Sequence, residues 1–259
     1  MKRQYGEIPL LPALFTLAGV LFGFLSLVFC FQGRYSGAAF WIIMAAIMDA
    51  LDGIVARSIG AQSEFGVELD SLADAFSFGA APAVLLYFWG LGTVHTAGVF
   101  FSFLYLASAI LRLARFNVLQ KTQKSRKAYI GLTVPSASLF MASLVLFHPQ
   151  PLLTRRSAFL LALAIVVISF FMVSTIRYRN YLGFPLRQRI NLGSALLVAA
   201  LIAGFVFYTR IFLLVFFSFN VLSGPASHVF GPIVKKMRRK SGKKHPQPDD
   251  RAEKSEIQL

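Results

Sequence analysis

The chain has 259 residues, of which 56% are hydrophobic and 14% charged, and its mean hydropathy of +0.65 lies far from that of soluble globular domains. This composition excludes a soluble enzyme, and a lone cysteine, Cys30, excludes an intrachain disulfide framework and reads as a small buried hydrophobe. The net charge of +15 does not mark a nucleic-acid binder, because the basic residues border apolar runs or sit in the tail VKKMRRKSGKKH, where they attract anionic lipid headgroups.

Runs of about 20 mostly apolar residues reach across a roughly 30 Å hydrocarbon core as helices. Eight are predicted in chain order: Pro9 to Phe31, Gly37 to Ala56, Leu69 to Trp89, His95 to Leu113, Tyr129 to Phe147, Ser157 to Ile176, Asn191 to Tyr208, and Ile211 to Phe230. The first has the basic start of a signal peptide. Its apolar run is long and no small-x-small cleavage site follows, so it reads as a membrane span. Only Thr209 and Arg210 separate the last two runs. From Ser241 onward the sequence is polar, contains proline and lacks apolar periodicity, which predicts disorder.

Lys and Arg fix the expected orientation. With the N-terminus inside, the inner side takes Lys2, Arg3, Arg57, the cluster from Arg112 to Lys127, the cluster from Arg177 to Arg189, and the tail from Lys235 to Lys254. The outer side takes only Arg34, Arg155, Arg156 and Arg210. The fold class expected is therefore an all-α, polytopic membrane helix bundle of about eight transmembrane helices.

The acidic residues are distributed differently. Of 11, six fall in the stretch DALDGIVARSIGAQSEFGVELDSLAD, residues 49–74. Asp49 and Asp52 are three apart near the end of the second run, and Asp70 and Asp74 are four apart near the start of the third, so each pair shares a helix face. A short connection from Ser58 to Phe65 turns the chain back, and the two pairs are expected to face each other across a helix hairpin at the inner membrane boundary.

Ionisable groups at membrane depth are costly unless paired or bound to cations. Four carboxylates without cysteine or nearby histidine favour hard divalent ions, Mg²⁺ or Mn²⁺, and two such ions would resemble the paired-metal sites of phosphoryl chemistry. Gly53, Ala56 and Gly66 keep the adjoining helix surfaces bare for a bulky ligand, and Arg57 suits phosphate oxygens. Glu64 and Glu68 read as solvated interfacial residues. Helix-end acids complementing a dipole would account for Asp70, but not for Asp49, two turns inside its helix.

Asp49, Asp52-Gly53, Ala56-Arg57, Gly66, Asp70 and Asp74 match without a gap the pattern D-x2-D-G-x2-A-R-x8-G-x3-D-x3-D. On these residues the chain resembles the CDP-alcohol phosphatidyltransferase family. The resemblance implies transfer of a phosphatidyl group from CDP-diacylglycerol to an alcohol, with release of CMP. It also implies that Asp49, Asp52, Asp70 and Asp74 hold two metal ions and that Asp74 is the general base. Gly53, Ala56 and Gly66 would line the cytidine and diphosphate pocket, with Arg57 beside them, so that residues 49–70 of the signature form the CDP-diacylglycerol site.

The stretches SFGAAPAVLLY (77–87), LRLARFNV (111–118), GLTVPSAS (131–138) and STIRYRNY (174–181) are similar to those of the bacterial phosphatidylserine synthases within that family, which implies L-serine as acceptor. Serine brings a carboxylate to an acidic site, and Arg112, Arg115, Asn117 and Arg177 are the candidate acceptor contacts, with Arg179 as a further cation; anchoring of helix ends is the competing explanation. Two departures bear on the acceptor. The first run reads TLAGVLFG where such synthases often carry asparagine, and GLTVP has Thr133 in place of a more usual residue.

The organisation expected is a cytoplasmic N-terminus at 1–8, a catalytic bundle at 9–190 built on a six-helix family core, a transmembrane hairpin at 191–231 and a basic cytoplasmic tail at 232–259. The family further implies a homodimer in the inner membrane of the cell with a cytoplasm-facing site. Glycerol 3-phosphate and inositol phosphate are alternative acceptors. A transporter using the acids as an ion site is the alternative of another class, but it would place them near the bilayer midplane. His95, His148, His228 and His245 have no common spacing, and the phenylalanine-rich runs read as packing or lipid-facing surface.

Overall fold

Inside hydrocarbon no water is available to backbone N–H and C=O groups, so apolar runs of this length fold as helices that satisfy their own hydrogen bonds. The computed structural model describes residues 10–58, 63–122, 129–178 and 209–224. Helix α1, Leu10–Phe31, turns at Gly33, whose φ of +72° suits glycine, and α2, Tyr35–Ser58, packs back along it. The fully buried Ala38, Ala39 and Ala45 give α2 a narrow face on which neighbouring helices pack closely.

Helix α3, Glu64–Asp74, starts at Ser63, whose hydroxyl accepts the Gly66 N–H at 3.0 Å. It continues through a π-helical turn, Ala75–Ala80, then α4, Ala81–Leu86, a second π-helical turn, Tyr87–Leu91, and a 3₁₀ turn, Gly92–Val94. At His95, with φ of 45°, the chain reverses into α5, His95–Thr122, which runs antiparallel to this composite helix. The buried Tyr105 hydroxyl of α5 donates to the Phe78 carbonyl in the first π turn at 3.2 Å.

Beyond α5 come strand β1, Tyr129–Ile130, helix α6, Val134–Phe147, helix α7, Arg155–Val173, and strand β2, Arg177–Tyr178. The strands pair antiparallel, Tyr129 with Tyr178 and Ile130 with Arg177, a short bridge within a fold that is otherwise all-helical as expected. A last apolar helix, α8, covers Thr209–Gly224. Among the described residues, four helical stretches are long and apolar enough to cross a membrane: α1, α2, the stretch Glu64–Leu119 that runs from α3 into α5, and α7. The protein is a helical membrane bundle.

Several predicted borders shift, each for a local reason. The fifth run becomes helical only at Val134, because Gly131 has φ of +79° and Thr133 caps α6, its hydroxyl accepting the Ser136 N–H, with Pro135 in the first turn. With 14 residues α6 is shorter than the roughly 20 needed to cross alone. The sixth run ends at Val173, since Ser174 is extended and leads into β2. The predicted seventh run, the N-terminus and the basic tail lie outside the described residues.

The core is carried by Phe78, Leu86, Trp89, Tyr105, Met141 and Ile165, all essentially without exposure. Trp89 ties the bundle at the end away from the acids, donating from Nε1 to the carbonyls of His148 and Gln150 at 3.0 Å each. At the acidic end, the Gly131 N–H donates to Ile176 O at 2.8 Å and the Leu132 N–H to Phe171 O at 3.0 Å, fastening the start of α6 to the end of α7. A Cβ at Gly131 would lie 2.6 Å from Met172 O and 3.0 Å from Ser174 O, at a φ that side chains rarely adopt. Gly131→Ala is expected to cost on the order of 2 kcal/mol, lowering the thermal midpoint of the purified protein by about 4–8 °C. An unchanged midpoint would show that this fastening is dispensable.

Candidate active site

Only residues 59–62 separate Ser58, at the end of α2, from the α3 cap Ser63, and both α2 and α3 pack against α1. The helical spacings then aim the acids inward, and carboxylate oxygens of Asp49, Asp70 and Asp74 come within 4.8 Å of one another. They line a small open cleft together with Thr16 and Gly19 of α1, Ala45 and Asp52 of α2, Ala73 of α3, and Ser77 and Phe78 of the π turn. The expectation of four converging carboxylates is thus refined to three gathered and one beside them. Asp52 stands outside the trio, buried to 7% exposure, and its Oδ2 accepts a hydrogen bond from Thr16 Oγ1 at 3.0 Å.

The π turn begins immediately after Asp74, and by widening the helix there it brings Ser77 to the cleft wall. Ser77 Oγ donates to the Gly19 carbonyl at 3.1 Å. Gly23 makes that crossing possible: a Cβ there would sit 2.7 Å from Ser77 Oγ and 3.0 Å from its Cα, too close to the backbone for either helix to yield cheaply. The first span therefore forms one wall of the site. Sequence reasoning named neither Thr16 nor Ser77 as site residues; the available signals were a threonine inside a mostly apolar run and a serine three residues past Asp74.

No Lys or Arg lines the cleft among the described residues. Arg112 of α5 is buried to 7% exposure, lies within electrostatic reach of Asp74, and holds its guanidinium 5.5 Å from the Phe116 ring centre. One guanidinium against four carboxylates in a low-dielectric setting leaves the cleft short of positive charge. A donor set made of carboxylate oxygens fits hard divalent cations.

The other expected site residues separate. Arg115 donates from Nη1 to Val173 O at 2.7 Å and from Nη2 to Ser174 O at 3.3 Å. It caps the carbonyl end of α7, where a cation also suits the helix dipole. Asn117 Nδ2 donates to Ser71 Oγ at 2.8 Å, tying α5 to α3 between Asp70 and Asp74. Arg177 is placed by its strand pairing with Ile130.

Gly53 is half-buried beside Asp52, and the Gly66 N–H serves the α3 cap; neither lines the cleft. Ala56 and Arg57 lie in the last turns of α2. Glu64 and Glu68 are exposed, as expected of interfacial acids.

The match of sequence to known proteins follows the same geometry. A family model described as CDP-alcohol phosphatidyltransferase matches residues 9–176. The chain belongs to the CDP-alcohol phosphatidyltransferase family. The segment that makes it a CDP-alcohol phosphatidyltransferase takes in α1 to α7 and every residue lining the cleft.

Among its relatives, the CDP-diacylglycerol–serine O-phosphatidyltransferase of Helicobacter pylori is 34% identical over 173 residues, 66% of this chain and 73% of the relative. The protein of the same name from Bacillus subtilis is 30% identical over 171 residues, 66% of this chain and 90% of the relative. That of Mycobacterium leprae is 39% identical over 153 residues, 58% of this chain and 51% of the relative.

Proposed function

We propose that this protein transfers the phosphatidyl group of CDP-diacylglycerol to the hydroxyl of L-serine, giving phosphatidylserine and CMP. The observation that carries the reading is the trio Asp49, Asp70 and Asp74, with oxygens within 4.8 Å, beside Asp52 in a cleft at one end of the bundle. Serine as acceptor is supported by the names of the relatives and by Arg112, a buried cation next to Asp74 that can receive a carboxylate. Arg115, Asn117 and Arg177 are the further acceptor-side candidates.

Asp49, Asp52, Asp70 and Asp74 would hold divalent cations, Mg²⁺ or Mn²⁺ and two by the family pattern. When bound, these ions neutralise phosphate oxygens and stabilise the charge that develops on the leaving group. Asp74 takes the proton of the seryl hydroxyl. The seryl oxygen forms a bond to the β-phosphorus of CDP-diacylglycerol, the bond from that phosphorus to the bridging oxygen breaks, and CMP departs with the electron pair. Gly53, Ala56, Arg57 and Gly66 receive the nucleotide and its phosphates. Arg112 screens Asp74 and orients the acceptor carboxylate.

The reading includes a catalytic bundle at 9–190, a hairpin at 191–231 and a basic tail at 232–259, eight passes in all, in a homodimer of the inner cell membrane. Its cleft faces the cytoplasm, as the concentration of Lys and Arg on the acidic side of the membrane supports. The test is conversion of isotopically labelled L-serine by purified protein in CDP-diacylglycerol micelles. Label is expected in chloroform-soluble phosphatidylserine; label that stays in the aqueous phase would refute the reading.

A further inference from the structure

We infer that Thr16 is a positioning residue, which acts through the Asp52 carboxylate to set how tightly the acidic cleft takes a divalent cation. The inference rests on the metal reading of the cleft given above. A hydroxyl inside a membrane helix is ordinarily satisfied by the carbonyl four residues earlier, and Thr16 has that partner, Pro12 O at 3.1 Å. It also has a second one on another helix, Asp52 Oδ2 at 3.0 Å, and both contacts are buried. One hydroxyl carries one proton, and the charge-assisted bond to a carboxylate is the stronger of the two. Thr16 is therefore a donor with a resting partner in α1 and a working partner in α2.

The consequence falls on Asp52 alone. A carboxylate turns readily about its terminal torsion. Fixing Oδ2 to α1 favours one orientation of Asp52 beside the trio formed by Asp49, Asp70 and Asp74. The spacing of the signature brings Asp52 to the cleft, and a residue 36 positions earlier holds one of its oxygens. Partners that orient ligating carboxylates from behind typically change metal affinity or activity by about 10–100-fold when removed.

The experiment compares wild type, Thr16→Val and Thr16→Ser as purified full-length protein in detergent. Mn²⁺ alone is titrated, free Mn²⁺ is read by electron paramagnetic resonance, and CMP release is measured in parallel. Thr16→Val keeps the shape and loses the donor, and is expected to weaken Mn²⁺ binding by about 10-fold or more. Thr16→Ser keeps the donor and is expected to stay close to wild type in both Mn²⁺ affinity and kcat/KM for CDP-diacylglycerol. A Thr16→Val protein with wild-type Mn²⁺ affinity overturns the inference. So does a Thr16→Ser protein as impaired as Thr16→Val, since packing rather than the hydroxyl would then matter. Wild-type protein that binds no Mn²⁺ yet releases CMP with serine overturns the inference through its metal premise while leaving the transferase reading standing.

Discussion

Asp74→Asn is expected to reduce serine-dependent CMP release by about 10²–10⁴-fold, the range associated with losing a positioned general base. The substitution preserves volume and one carbonyl oxygen, so α3 and the π turn that starts at Ala75 should form as before. What is lost is the negative charge and the proton acceptor, at the position where Arg112 supplies the only buried guanidinium near the cleft among the described residues. Asp49 and Asp70 remain to hold a cation, so binding of CDP-diacylglycerol should fall far less than turnover. Steady-state CMP release together with equilibrium nucleotide binding separates the two effects. Turnover near that of wild type would remove Asp74 from the base role.

Removal of divalent cations should be as damaging. With EDTA, CMP release is expected to drop to background and to return on addition of Mn²⁺ or Mg²⁺, because the cleft wall offers carboxylate oxygens and, among the described residues, no lysine or arginine to offset them. The same argument makes cation binding a source of stability, since an ion that binds only the folded protein at 100 times its Kd contributes about 2.7 kcal/mol. Mn²⁺ should therefore raise the thermal midpoint of wild-type protein and raise that of Asp49→Asn much less, Asp49 being one of the three gathered ligands. EDTA-insensitive turnover, or equal Mn²⁺ stabilisation of both proteins, would contradict a metal-dependent cleft.

How far the sequence foretold this molecule depends on whether a feature is local. Apolar length marked α1, α2, the α3–α4 run, α5 and α7, and the three- and four-residue spacings placed the aspartates on facing sides of a helix pair. The start of α6 was also written locally, in Gly131, Thr133 and Pro135, although a 19-residue apolar run concealed it. Tertiary choices left no such mark. Arg112 and Arg115, three apart on one helix, look interchangeable in sequence; packing sends one toward Asp74 and the other to the carbonyls ending α7. The π turn has no residue signature, yet it carries Ser77 to the cleft. The Thr16 bond to Asp52 depends on how α1 crosses α2, so the first span read as a membrane anchor before it could be recognised as a wall of the site.

The most direct test of the account is CMP release by the purified protein from CDP-diacylglycerol with Mn²⁺ or Mg²⁺, comparing L-serine, glycerol 3-phosphate and inositol phosphate as acceptors. The account predicts release that requires both the cation and L-serine. Release with glycerol 3-phosphate or inositol phosphate and none with L-serine would contradict the acceptor assignment, and no release with any of the three would contradict the transferase itself.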